Sequence, residues 1–423
     1  MADRKLVERV EYIQILIWVI ILAIPVTFLT LLFLGLYQQG VHFYESLSES
    51  LGILPGIFTI VVGMLGGLLV GLGLRYLGVQ HGKSLQAQMT EGKVPYRGLP
   101  GFIIVALVGL ISGASVGPEG PLGHMGAGLG SWLADKRGYP SEKARILSIS
   151  GVAAAFGGFL GTPISAAFMS MEFTGQLTMF SYANMVAATV AALIGAWILV
   201  SLTGLMPSGA TGLPPGGLLN PSSFFYAVLF GLVGLGWAFL FKVIFNGLQR
   251  LAKSLDRYPL LKPVVGGLVF GLVGAWQPLT LFSGEHELAQ VLESGAQIGV
   301  FMLIVLAVLK LFTLSACLAT GFPGGFVFPL FFSAGSLGYA IHLLLPFIPL
   351  SVCVVGMLAG IGGAVMRMPF TVIFLLLVLG NPALLPVSVL AAITSYLAAT
   401  MLDAGNARKA MRQAATDRKE VYT

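Results

Sequence analysis

Apolar runs at 15–37, 57–77, 99–111, 122–133, 146–160, 164–171, 182–202, 224–245, 264–281, 298–318, 327–345, 350–365, 370–379 and 384–401 take up most of this chain, and several are too short to cross a bilayer. A straight helical span needs about 20 residues. Lipid offers the backbone no hydrogen-bond partner, so the shorter runs must be tilted or re-entrant helices sheltered by their neighbours. Only 9% of the residues are charged, against about 25% in soluble domains, and mean hydropathy is +0.92. With 56 glycines to allow close helix packing, the chain reads as an all-α polytopic membrane protein. The net charge of +6 belongs to loops facing the cytoplasm and is no nucleic-acid signal. Cys317 and Cys353 sit in apolar runs and read as buried thiols; no metal-ligand set and no cofactor fingerprint is present.

Lys and Arg sort by side. Arg4, Lys5 and Arg9 precede the first run, loop 78–98 carries Lys83, Lys93 and Arg97, and Lys253, Arg257 and Lys262 follow the run at 224–245. Loops 38–56 and 282–297 carry neither, nor does anything between 146 and 241. The positive-inside rule then makes both termini cytoplasmic, with 1–14 a retained leading segment and 403–423 a cytoplasmic tail.

The two halves echo each other. Gly113, Gly117, Pro121 and Gly130 recur as Gly321, Gly325, Pro329 and Gly338, and Pro163 as Pro369. A basic loop precedes the first set and an acidic loop the second, so the halves, about 15–202 and 224–402, are expected to run in opposite senses across the membrane. Inverted repeats put a binding site near the midplane, where broken helices converge.

Glu119 lies at that point, in Gly117-Pro118-Glu119-Gly120-Pro121. An ionisable group at membrane depth costs about 2.5–3.5 kcal/mol by insertion scales and usually marks an ion or proton route. The glycines and prolines predict unwound segments at 117–121 and 324–329 that open helices. Each offers free N–H groups at a positive helix end to a small anion. Gly117, Pro118, Gly120, Gly324, Gly325, Phe326, Val327 and Phe328 are the expected anion-binding positions. Glu119 is the expected gate: ionised, its carboxylate fills the anion site and blocks it, and protonated or swung away it opens the path.

At these residues the chain resembles the CLC family of chloride channels and chloride/proton antiporters. Gly117 to Pro121 is similar to the family's G-R/K-E-G-P, whose Glu is the gate. Gly321-Phe322-Pro323-Gly324-Gly325-Phe326-Val327-Phe328-Pro329 resembles its G-x-P-G-G-x-F-x-P, and Lys310 precedes it at the usual interval. Thr162-Pro163-Ile164, on to Glu172, resembles A-P-x-x-x-x-x-F-x-x-E, and Arg367-Met368-Pro369-Phe370-Thr371 resembles R-x-P-x-T. The resemblance spans roughly 15–402 and implies one transmembrane CLC domain over 1–423, a CLC-type inverted repeat of tilted and re-entrant helices, and a homodimer with one path per subunit. No cytoplasmic regulatory domain is expected. The source it implies is a bacterial inner membrane.

The departures bear on mechanism. The family's anion-binding Ser is not legible, and Ser84 or His81 stands nearest its place. Pro118 replaces the usual basic residue before the gate, the family's anion-binding Tyr has no counterpart in 403–412, and Phe173 stands where antiporters carry a second Glu.

Several residues keep two readings. Glu119 gates, or caps a helix. Glu172 carries protons, or bonds backbone structurally. His124 lines the path, or packs helices. Lys310 lures anions, or pairs with carbonyls. Phe326 and Phe328 present positive ring edges to an anion, or simply pack. The acidic stretch 285–293 reads as a solvated external face. Transport of a small monovalent anion, chloride first, is the expected function, with proton antiport, a passive channel and a fluoride/proton antiporter open within it. A membrane enzyme is the reading from another class, and it lacks any nucleophile triad or metal cluster. An organic-solute carrier would need a larger polar lining.

Overall fold

The computed structural model describes residues 2–52, 54–78, 85–90, 93–172, 181–204, 213, 220–380 and 382–421, with side chains except for 2–9, 86, 87, 90 and 406–421. Helices come in the order α1 (Ala2–Ser50), α2 (Pro55–Tyr76), α3 (Leu85–Thr90), α4 (Leu99–Ile111), α5 (Glu119–Lys136), α6 (Ser141–Leu160), α7 (Pro163–Glu172) and α8 (Tyr182–Thr203). They continue as α9 (Pro221–Lys253), α10 (Leu261–Trp276), α11 (Glu285–Ile298), α12 (Val300–Thr320), α13 (Val327–Leu344), α14 (Leu350–Ile361), α15 (Pro369–Leu379) and α16 (Leu385–Val421).

Among the described residues, eight helical stretches are long and apolar enough to cross a membrane. The short runs are short helices, as expected: α7 has ten residues and α15 eleven, about 15 Å each at 1.5 Å per residue, half the bilayer core. α5, α6, α13 and α14 form the middle of the bundle and bury most of their residues.

The repeat is visible in the packing. α5 lies on α6 as α13 lies on α14; α6 lies on α8 as α14 lies on α16; α1 meets α6 and α8 as α9 meets α14 and α16; α2 meets α4 as α10 meets α12. α2 and α10 also pack on each other. A Cβ on Gly63 would sit 2.6 Å from the Gly267 carbonyl oxygen, an approach that only a missing side chain permits. Gly113 and Gly321, one repeat apart, both hold positive φ, 92° and 95°, and turn the chain sharply after α4 and α12.

Helices outrun the apolar runs at three places where loops or a tail were expected. α1 continues through 38–50, because Tyr44 on that extension stacks edge-on against Phe58 and Phe282 and donates a hydrogen bond to Thr59 at 3.0 Å. Most of 282–297 is α11, whose Leu288, Val291 and Leu292 are buried; its acidic residues are the polar side of an amphipathic helix rather than a wholly solvated face. The tail continues α16 to Val421.

Candidate functional site

Helix α5 begins at Glu119 and α13 at Val327, so of the predicted unwound segments only 117–118 and 324–326 lie outside helices, and the rest forms the first helical turns. Glu119, Gly120 and Pro121 form the first turn of α5; Val327, Phe328 and Pro329 form that of α13. Ahead of these turns Gly117 donates to the Gly325 carbonyl at 2.9 Å and Gly325 donates back to Gly117 at 2.7 Å, as an isolated antiparallel bridge. Equivalent residues of two inverted halves meet here, so the local two-fold axis passes between them.

The bridge decides which donors remain. The N–H groups of Gly117 and Gly325 bond each other, so these glycines shape the site rather than offer donors to an anion. The first intrahelical bonds run from Leu122 to Pro118 and from Leu330 to Phe326. The N–H groups of Glu119, Gly120, Val327 and Phe328 therefore precede both ladders, as first-turn donors do. Pro121 and Pro329 have no N–H to leave unpaired. Two positive helix ends thus face one point.

The carboxylate of Glu119 occupies that point. Its Oε1 accepts the Val327 N–H at 2.6 Å. Glu119 is 2% exposed, and its Oε2 has no protein partner. A Cβ on Gly117 would meet Glu119 Cδ at 2.5 Å, and one on Gly325 would overlap the same carboxylate. The two glycines are therefore the walls of a cradle that a methyl group would fill. Gly120 lets α5 rest on the opposite segment, since its Cβ would lie 2.7 Å from the Gly324 carbonyl carbon. Pro118 is the residue before α5 and Phe326 the one before α13.

A cavity of about 10 Å3 opens beside Glu119, close to the smallest space that holds a water. Phe159, Met169, Phe328, Phe331 and Met366 wall it, Thr371 stands in its lining, and no Lys or Arg does. Phe328 packs edge-on to Phe159, ring centroids 5.5 Å apart. Phe328 and Phe331 also line a second cavity of about 10 Å3 together with Glu285. Sequence reading did not single out Thr371, Phe159, Phe331 or Glu285 for this region. Thr371 was quoted only as part of a motif, and an isolated Phe carries no signal until the fold gathers it.

Glu172 makes the bonds that its structural reading expects. Its Oε1 accepts from the Phe370 N–H at 3.0 Å, and its Oε2 from the Thr371 N–H at 2.7 Å and the Thr371 hydroxyl at 2.5 Å. The last residue of α7 thus caps the first turn of α15. Lys310 does the same for a turn. It is fully buried, and its ammonium donates to the carbonyls of Thr280, Leu281 and Phe282 at 3.0, 2.8 and 2.9 Å. All three N–H donors are engaged, so it holds the turn before α11 and is not aimed at an anion. His124 is half-buried, with Nδ1 3.0 Å from the Gly120 carbonyl oxygen and its ring 4.6 Å from that of Phe102; it packs helices. Ser84, His81 and Phe173 lie outside the described residues.

Two inverted halves meeting at a buried carboxylate define a membrane transport protein rather than an enzyme. The sequence profile of the family described as "Voltage gated chloride channel" matches residues 81–400, and the chain belongs to that family. It is 27% identical over 362 residues to the "Putative ion-transport protein YfeO" of Shigella sonnei (strain Ss046), covering 84% of this chain and 85% of that one. It is 26% identical to the protein of the same name in Escherichia coli O139:H28 (strain E24377A / ETEC). Its fold is similar to that of a slow cyanobacterial Cl-/H+ antiporter, with a TM-score of 0.77 and 18% identity over 92% of this chain and 94% of that one. A CLC-type fluoride/proton antiporter superposes with a TM-score of 0.74 and 21% identity, over 91% and 94%.

Proposed function

We propose that this protein moves a small monovalent anion, chloride first, through a path closed at Glu119, and that protonation of Glu119 opens it. The observation that carries this reading is the carboxylate between Gly117 and Gly325, held by the Val327 N–H. A carboxylate is itself a small oxyanion of single charge. The cradle it fills is built for such a charge from backbone N–H groups and helix ends, worth about half a unit charge each. No fixed cation lines the adjoining cavity, which favours release as well as binding. In this reading the anion contacts are the N–H groups of Glu119, Gly120, Val327 and Phe328. Gly117, Gly324 and Gly325 provide clearance, and Phe328 provides a ring edge.

A gate that opens on protonation fits proton antiport if the proton is passed on to the opposite side, and proton antiport is the first reading of the coupling. A passive channel is the second reading, favoured by Phe173 in place of a second Glu and by the capping bonds of Glu172. Fluoride competes with chloride as the cargo. We further infer a homodimer in a bacterial inner membrane with both termini cytoplasmic; the Lys and Arg distribution supports the orientation, and the homodimer and the membrane rest on the family resemblance. The test is purified protein in liposomes loaded with chloride or fluoride, with anion efflux and proton uptake recorded together. Anion efflux with coupled proton uptake supports antiport, efflux alone supports the channel, and no efflux of either anion removes the proposal.

A further inference from the structure

An open groove of about 750 Å3 lies between α9, the π-helical turn Gly362–Met366 and α16, and shares that turn, but no lining residue, with the cavity beside Glu119. Its α9 wall includes Leu232, Gly236, Phe239 and Lys242. Leu232 is 48% exposed and Phe239 68%, which in a membrane-spanning helix is a surface turned to lipid. At 1.5 Å per residue, Leu232 stands about 16 Å from the Pro221 end of α9 and Lys242 about 32 Å. The hydrocarbon core is about 30 Å thick. From Leu232 to Lys242 the wall covers about 15 Å of helix, the depth of one leaflet.

Charge enters the groove at Lys242, Arg367 and Asp403. Arg367 is held in place: it pairs with Asp403 and donates to the Tyr396 carbonyl and the Thr400 hydroxyl, each at 3.3 Å. Asp403 offsets one cation and leaves the lining net positive. Lys242 is exposed, and its long stem can carry the ammonium up to a headgroup while its methylenes stay on the apolar wall.

We propose that this groove binds an anionic phospholipid of the leaflet at the Lys253 end of α9, with an acyl chain along Leu232 to Phe239 and the phosphate beside Lys242. The inference is independent of which ion the protein carries, and its test reads no transport. Full-length protein in detergent is equilibrated with phosphatidylglycerol or phosphatidylcholine, and retained lipid is counted by native mass spectrometry. Phosphatidylglycerol should be retained about fivefold more, the factor one basic residue near a membrane surface supplies, and Lys242→Gln should bring the two lipids level. Gly236→Leu puts an isobutyl group into the groove from a position where a Cβ meets nothing within 4 Å, and Leu suits a helix better than Gly. It should fold and lose retention of both lipids. Equal retention by the unmodified protein, or an undiminished preference in Lys242→Gln, overturns the headgroup assignment; full retention in Gly236→Leu overturns the groove. Disulfide cross-linking of Phe239→Cys between subunits in native membranes would put a second copy of the chain there and overturn the proposal as well.

Discussion

Glu119 and Val327 are 208 positions apart, the spacing of the internal repeat, and the carboxylate of one accepts the backbone N–H of the other at 2.6 Å. Each is the first residue of its helix. The gate of one half is therefore held by the symmetry-equivalent position of the other, and what holds it is backbone. A side chain added at Val327 cannot replace that donor, and only a change at Glu119 removes the acceptor.

Glu119→Gln keeps an oxygen for the Val327 N–H and removes the titrating charge. Proton uptake should fall to background while anion flux persists and no longer rises as pH falls. Glu119→Ala, which empties the cradle, should behave alike with faster flux. Unchanged proton-coupled flux in both variants, measured in liposomes with a chloride electrode and a pH probe, would remove Glu119 from the gate.

Gly325→Ala puts a methyl group where the carboxylate lies. Overpacking of a tight site costs about 1–3 kcal/mol, well short of unfolding a large helical bundle. The variant should purify as a folded protein with a modestly lowered melting temperature and reduced anion flux, because the same methyl narrows the anion site. Normal flux at normal stability would mean that the anion passes elsewhere.

Lys310→Met should act on stability before transport. It strips three carbonyls of a charged donor in a fully buried place, and each bond to a charged group contributes about 1.5–3 kcal/mol. Thermal unfolding should drop by far more than in any of the Glu119 variants, and flux per folded molecule should change little. A stable Lys310→Met protein with altered ion preference would restore Lys310 to the anion path.

Glu172→Ala removes the cap of α15, a loss of about 0.5–2 kcal/mol. Glu172→Gln retains one oxygen for the N–H groups of Phe370 and Thr371 and should lose less. If Glu172 is a cap alone, proton and anion fluxes in the Gln variant keep their ratio. Loss of proton uptake with anion flux intact would make Glu172 a proton carrier.

The helical membrane class, the repeat and Glu119 were all legible in the sequence, because each has a one-dimensional signature: apolar run length, matched Gly and Pro spacing, and a lone carboxylate among apolar residues. Spacing could not say that the Gly117 and Gly325 N–H groups would bond each other and leave the first-turn donors of α5 and α13 to face the carboxylate. That outcome depends on two segments far apart in the chain meeting across a two-fold axis. Lys310 and Glu172 illustrate the same limit. A buried ammonium attracts anions or binds carbonyls, and a buried carboxylate carries protons or caps a helix, according to which backbone groups lie within about 3 Å. Those neighbours come from Thr280 to Phe282 for one and from Phe370 and Thr371 for the other. The extensions of α1 and α16 and the helix α11 were hidden because polar residues carry no apolar signal; in α1 and α11 the helix continues where one face still finds something to pack on, as Tyr44, Leu288 and Val291 do. The sequence by itself determined what kind of solvent this chain folds in and where its costly charge sits; tertiary packing alone decided which polar groups that charge and its neighbours would meet, since hydrogen bonds are short and the chain order says nothing of distances that short.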